Sequence, residues 1–150
     1  MVYQVGSAGG DAGMIKVERT VELNAPAETV WKAIGGFGAL GEWHPAVMAC
    51  RLDQKDDRTI RVLTLADGAQ LTEELVESQE PGQHYTYRIV SGPLPVADYS
   101  ATLSVEPNGD RSLARWVGVF DAKGATDHIA ERTIAGVYEA GLASLAKRFA

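Results

Sequence analysis

The sequence carries a single cysteine, no long apolar run and no cluster of basic residues, and each shortage rules something out. With Cys50 alone no internal disulfide can form, so the fold must rest on its core. Its neighbours Val47, Met48 and Leu52 make an apolar, strand-like setting, which reads as a structural position rather than an activated thiol. No segment approaches the roughly 18 apolar residues of a membrane span, so membrane insertion is not expected. The N-terminus shows neither the basic start nor the apolar run of a signal peptide, and the expected location is the cytoplasm. A net charge of −6 without a Lys/Arg run argues against nucleic acid and anionic membrane surfaces as partners. No Gly-x-Ser-x-Gly and no metal-ligand spacing of His, Cys, Asp and Glu occurs, and His84 and His128 stand isolated. The expectation is therefore no metal and no cofactor.

What is present is an ordinary globular composition, 45% hydrophobic and 23% charged over 150 residues. That length suits one domain, able to bury somewhat under about 70% of its unfolded surface. Residues 1–13 are rich in Gly and Ala without periodicity and read as a flexible lead-in to a single domain over 14–150. Their glycines do not make a phosphate loop, because a strand rather than a helix follows: Val17, Arg19, Val21 and Leu23 alternate with Glu18, Thr20 and Glu22.

After this strand, Pro26 at a first helical position, Glu28 in the first turn and an apolar face of Val30, Trp31 and Ile34 predict a short helix stopped by Gly35-Gly36. A second is expected over Phe37–Trp43, ended by Pro45 through its constraint on His44. The pair would form an elbow across one edge of a sheet. From Ala46 to Phe120 turn signals at Asp53 to Asp57, Ala66-Asp67-Gly68, Glu80-Pro81-Gly82, Ser91 to Pro95 and Pro107 to Asp110 separate six further strands. The spacings are too short for crossover helices, so the sheet should be an antiparallel meander. Beyond Gly124, Ile129, Ile134, Tyr138, Leu142, Leu145 and Phe149 share one face of a long helix with Lys147 and Arg148 in its last turn. A seven-stranded sheet covered by one helix must curve around it, and the helix is too narrow to fill the concavity. Gly136 and Gly141 within that helix mark either close approach to the sheet or room for a ligand.

Several segments carry a resemblance: Ala25 to Trp31, Phe37-Gly38 with Trp43-His44-Pro45, Tyr85-Thr86-Tyr87, Pro93-Leu94-Pro95, Tyr99, and Tyr138 to Leu142. In that order they resemble the START/SRPBCC superfamily, in its polyketide cyclase/dehydrase-like bacterial branch, over about Ile15 to Phe149. The resemblance implies an α+β helix-grip fold: a seven-stranded curved antiparallel sheet wrapped around a long C-terminal helix, two short helices after the first strand, and a cavity between sheet and helix. It also implies that Trp43 and His44 lie near the cavity entrance. Function is left open, since the superfamily includes lipid carriers, receptors and aromatase/cyclases.

The residues that could carry chemistry are few. If Asp67-Gly68-Ala69 is a three-residue loop, Leu65 faces Leu71, Leu63 faces Glu73, and Arg61 lies diagonal to Glu73 in an apolar wall. Such a pair either braces the wall or orients a ligand and moves protons. Trp43, Leu63, Leu71, Leu75, Tyr87, Tyr99, Trp116, Phe120 and Tyr138 are candidate ligand-binding residues of the cavity walls, although each also suits an ordinary core position. Which face of the last strand points inward stays open, since Leu113, Val117 and Val119 are apolar as well. His44 titrates near neutrality and could serve as acid, base or ligand donor, or simply end a helix. The readings that remain are a carrier of a small hydrophobic or aromatic molecule, an enzyme of cyclase or dehydratase type using Glu73, Arg61, His44 or Tyr99 on a polyketide-like substrate, and a partner-binding domain with a closed core, which a cavity below about 300 Å³ would favour. Oligomeric state is not legible.

Overall fold

Alternation along the strands sets the architecture, because every second side chain must leave water. In the computed structural model, which describes residues 14–79 and 83–150, the last strand shows this most clearly. Ser112, Ala114, Trp116 and Phe120 are buried, while Leu113, Arg115, Val117 and Val119 face outward and are half-buried. The inward face of that strand is thereby assigned. The lead-in read over 1–13 and the Glu80-Pro81-Gly82 turn lie outside the described residues.

Among the described residues the order is β1 (Ile15–Leu23), α1 (Ala27–Ile34), α2 (Leu40–Trp43), β2 (Val47–Lys55), β3 (Arg58–Leu65), β4 (Gln70–Gln79), β5 (His84–Ser91), β6 (Val96–Asn108), β7 (Arg111–Ala122) and α3 (Asp127–Arg148). The strands make one antiparallel sheet in the order β1-β7-β6-β5-β4-β3-β2. The meander expected from the sequence is present from β2 to β7, but β1 pairs with β7 instead of β2. The helical elbow therefore links opposite edges of the sheet, where an elbow over one edge was expected. Its second helix is a single turn, shorter than the expected Phe37–Trp43, and Pro26 is the N-cap of α1 and not its first residue. His44 is extended, with φ −94° and ψ 122°, as the following proline requires.

Register shifts in β2, β4 and β6 mark bulges, which bend a sheet and increase its twist. The convex face is wet and carries cross-strand ion pairs: Glu74 on β4 lies between Arg58 on β3 and Arg88 on β5, and Arg115 on β7 between Glu18 and Glu106. The concave face is mostly buried and apolar. On α3 the Thr126 hydroxyl accepts the Ile129 N–H, Asp127 occupies the first turn and Lys147 and Arg148 the last, all favourable to the helix dipole. Its buried stripe is Ala130, Ile134, Ala135, Tyr138, Gly141, Leu142 and Leu145. Ile129 departs from expectation and is 53% exposed. A five-residue step to Ile134 rotates about 140° around a helix, which takes it off the stripe.

The backbone of α3 lies closest to β1 and β7, and α1 packs on β6 and β7. Val30, Trp31 and Ile34 of α1 are fully buried there, each contributing roughly 1.5–3 kcal/mol of transfer free energy. The inner faces of β3 and β4 curve away beyond the reach of α3.

Candidate functional site

That gap between helix and sheet is a pocket of about 370 Å³. Leu63 and Leu65 of β3 and Leu71 and Glu73 of β4 form one wall; Tyr87, Tyr99 and Trp116 from β5, β6 and β7 form the floor; Ile134 and Val137 of α3 close the top. Leu40, His44 and Val47 complete it from the α2 side. It meets solvent beside the exposed Ala46, Ala66 and Asp67 and the half-buried Leu94.

The β3–β4 turn decides which polar groups face this space. The Gly68 N–H donates to Leu65 O and the Leu65 N–H to Ala69 O, both at 2.9 Å, and Gly68 has φ +88°. This is a three-residue loop, Ala66 to Gly68, whose last residue must be left-handed. Leu63 consequently faces Leu71 and Arg61 faces Glu73 directly. The offset expected from a 67–69 loop is corrected by two residues, because only Gly68 suits the left-handed position.

Arg61 is fully buried and boxed in. Its Nε donates to Glu73 Oε1 at 2.8 Å, and Nη1 donates to Phe37 O at 3.0 Å and Tyr85 Oη at 3.1 Å. Nη2 lies 2.7 Å from the same Glu73 oxygen but out of hydrogen-bond alignment. The guanidinium sits over the rings of Phe37 at 4.1 Å, Tyr87 at 4.8 Å and Tyr85 at 5.4 Å. Burial works against its charge, yet Tyr85 and Glu73 hold the guanidinium above the ordinary arginine range. Arg61 therefore braces the wall and does not itself line the pocket. Glu73 does line it. Burial pushes its carboxyl upward, and the Arg61 charge offsets this only in part. Among the described residues none donates a hydrogen bond to Oε2, the oxygen that Arg61 leaves unused.

Along the floor runs a chain of hydroxyls. The Trp116 indole N–H donates to Tyr87 Oη at 3.0 Å, Tyr87 and Tyr99 share a hydrogen bond at 3.0 Å, and Tyr99 and Tyr138 share one at 2.5 Å. Burial raises the Tyr87, Tyr99 and Tyr138 hydroxyls above the ordinary phenol range, so all three stay protonated near neutrality. Tyr138 stacks on Trp116 with ring centroids 4.5 Å apart. A Cβ at Gly118 would lie against the Tyr138 hydroxyl, so the strand must be bare there.

His44 is buried and both of its nitrogens are engaged. Nε2 donates to Val137 O at 2.8 Å, and Nδ1 accepts the Ala46 N–H at 3.1 Å. That pattern fixes one neutral tautomer. Burial lowers its pKa, partly opposed by the bond to Val137 and reinforced by Arg61. The ring has partners that the sequence did not reveal, and it has no free lone pair or proton for chemistry. Gly141 makes this arrangement possible: a Cβ there would lie 2.7 Å from His44 Cδ2 and 2.9 Å from Trp116 Cζ3. Of the alternatives open for the helix glycines, close approach describes Gly141, whereas Gly136 is exposed and faces open space. Cys50 is half-buried on β2, and burial pushes its thiol up, as suits a structural position.

Of the expected wall residues, Leu63, Leu71, Tyr87, Tyr99 and Trp116 line the pocket, together with Glu73 and His44. Trp43, Phe120, Tyr138 and Arg61 lie in the layer behind its surface. Trp43 packs on Trp116 and Phe120 on Tyr99, so their rings support the lining without forming it. Leu75 is half-buried beside Tyr87, one residue pair further from the mouth than Glu73. Sequence reasoning missed Leu40, Val47, Ile134 and Val137 as lining. The helical stripe had already placed Ile134 inward and could have found it.

Residues 14–150 match the family described as polyketide cyclase / dehydrase and lipid transport. Among solved structures the chain is similar to the protein XoxI from Bacillus cereus, at 31% identity and a TM-score of 0.85, covering 89% of this chain and 94% of that one. The Zhui aromatase/cyclase from a Streptomyces species has the same fold, with a TM-score of 0.72 at 17% identity over 90% of this chain and 93% of that one. So does a START superfamily protein from Mycobacterium smegmatis, with a TM-score of 0.72 at 18% identity over 89% of this chain and 96% of that one. At such identities the likeness shows the helix-grip fold alone. No curated protein sequence matches the chain.

Proposed function

Since the chain belongs to the polyketide cyclase / dehydrase and lipid transport family, we propose that its pocket binds a small hydrophobic or aromatic molecule without transforming it. The observation that carries this reading is the pocket itself, about 370 Å³ of largely apolar space between sheet and α3, with few polar groups. Such a volume suits a bicyclic or similarly compact ligand. The chemistry of the walls favours binding over turnover: His44 has both nitrogens occupied, Arg61 is locked behind the surface, and the floor tyrosines bond to one another. No helix among the described residues is long and apolar enough to cross a membrane, and a cytoplasmic location is part of the proposal.

Native mass spectrometry of the gently purified protein should detect a bound small molecule. A fluorescent apolar dye, N-phenyl-1-naphthylamine, should bind the emptied protein and lose its site in Ile134→Trp, which fills the pocket from α3. If no molecule is retained and the dye does not bind, the reading fails.

A second reading, turnover of the bound molecule in the manner of a cyclase or dehydratase, draws on Glu73 alone. A carboxyl raised by burial with one oxygen free is suited to proton transfer. Under this reading Glu73→Gln abolishes turnover of an aromatic or polyketide-like substrate while dye binding persists. Unchanged rates would remove Glu73 from any mechanism.

A further inference from the structure

Among the described residues the pocket lining contains two acidic side chains, Glu73 and Asp67, and no lysine or arginine. Arg61 does not turn toward a ligand, because Glu73 holds its Nε, Phe37 O and Tyr85 hold its Nη1, its Nη2 is buried against Glu73, and Phe37 and Tyr87 cover its faces. We propose that the pocket selects a neutral molecule whose apolar body carries one hydrogen-bond donor, a phenolic or alcoholic hydroxyl or an N–H, seated against the free oxygen of Glu73, and that it rejects carboxylates. This rests on the binding reading above and names the ligand's head group.

Each alternative head group meets a specific obstacle. An acceptor-only group would leave Glu73 Oε2 without a partner in a water-poor wall, and a buried acceptor left unpaired is costly. A carboxylate would add a second negative charge beside Glu73 with no accessible cation to offset it. An ammonium would be attracted to the carboxylate, but the Arg61–Glu73 pair is already neutral and Asp67 is exposed to solvent at the mouth, so a cation seated at Glu73 would add an unbalanced charge to a low-dielectric site. A neutral donor satisfies the free oxygen and brings no charge. The tyrosines are weaker receiving groups than Glu73, being neutral and already bonded to one another. Tyr87 already accepts from Trp116, and Tyr99 is shared between Tyr87 and Tyr138. His44 is likewise committed on both sides of its ring.

The test compares four probes with one body: 2-naphthol, naphthalene, 2-naphthoate and 2-naphthylmethylammonium, titrated into the full chain by calorimetry or by amide chemical shifts. Hydrogen bonds to a charged acceptor predict that 2-naphthol binds at least about tenfold tighter than naphthalene. Both charged probes should bind at least about tenfold more weakly than naphthalene. In Glu73→Gln the preference for naphthol over naphthalene should fall to within about threefold, and naphthoate should gain relative to naphthalene because the repelling charge is gone. If that variant does not fold, the ranking on the unmodified protein decides alone. Equal binding of naphthol and naphthalene, or tightest binding by either charged probe, overturns the head-group inference and leaves the apolar pocket standing. Failure of all four to bind removes the binding reading and this inference with it.

Discussion

Alanine at Gly136 should stabilise the fold and alanine at Gly141 should not, although both positions lie within α3. At Gly136 a Cβ would meet no atom within 4 Å, so the substitution gains helix propensity, about 1 kcal/mol, and little else. At Gly141 the same gain is set against contacts of 2.7 Å with His44 Cδ2, 2.9 Å with Trp116 Cζ3 and 3.1 Å with Trp43 Cζ3. These rings have little freedom to retreat. His44 would have to release Val137 O or the Ala46 N–H, and Trp116 would have to leave its stack on Tyr138 and its bond to Tyr87. Overpacking of this kind costs about 1–3 kcal/mol. Gly141→Ala should therefore be neutral to about 2 kcal/mol destabilising, and the gap between the two variants should equal the overpacking cost, about 1–3 kcal/mol. Urea unfolding followed by circular dichroism gives both values, provided the slopes are unchanged. Thermal midpoints should separate by about 2–4 °C for each kcal/mol. Equal stabilisation by both alanines would refute the seating of the three rings on α3, and with it the shape of the pocket on its α2 side.

Removing one member of the buried pair should cost far more than replacing both. Glu73→Ala, which strands the Arg61 charge, should lose about 3–5 kcal/mol in urea unfolding, and Arg61→Met with Glu73→Leu clearly less; equal losses would refute the pairing. On the convex face Arg58 and Arg88 hold the Glu74 carboxyl down to about 2, against an ordinary 4.5. A depressed carboxyl stabilises the fold above its unfolded pKa, so this contribution is present above pH 4.5 and drains away as pH falls toward 2. Glu74→Gln should flatten that acid limb of the stability curve, and the difference should shrink in high salt because the cluster is exposed. For His44 the lowered pKa means stability is present above the ordinary 6.5 and lost as pH falls below it. Nitrogen-15 NMR above pH 7 should find the ring neutral with its proton on Nε2, and a doubly protonated ring there would contradict the two bonds assigned to it.

Much of the fold was legible because its signals are local. Period-two alternation marked the strands, Pro and Gly their ends, and the helical stripe from Ile134 to Leu145 the gripping helix. Register was less accessible. Whether the β3–β4 loop occupies 66–68 or 67–69 turns on where one left-handed residue falls, and Gly68 held that information. Read that way, the sequence would have set Arg61 opposite Glu73. The pairing of β1 with β7 carries no local signal at all, since it depends on which edge the elbow reaches. The same holds for the site. Alternation and the helical stripe could place Phe120 and Tyr138 inward, but not decide that they lie behind Tyr99 and Trp116, because ring-on-ring order is fixed by the distance from helix to sheet. The partners of His44 were invisible for a similar reason, one being a backbone carbonyl far along the chain.

The pairing of β1 with β7 has a kinetic consequence. Ile15 finds its partner at Phe120 and Leu23 at Ser112, so β1, although synthesised before β2 to β7, has nowhere to dock until nearly the whole sheet exists. Contacts between such distant residues must overcome loop-closure entropy before they return any stability, and chains dominated by them fold slowly. Growth of the meander from β2 to β7 can proceed hairpin by hairpin, each step local. Closure by β1 must come last, and Asn24, which donates its N–H to the carbonyl of Phe149, ties that strand's end to the end of α3 in the same event. Until then β7 presents an unpaired edge. The interval before closure is when this chain is most exposed to pairing with another copy of itself.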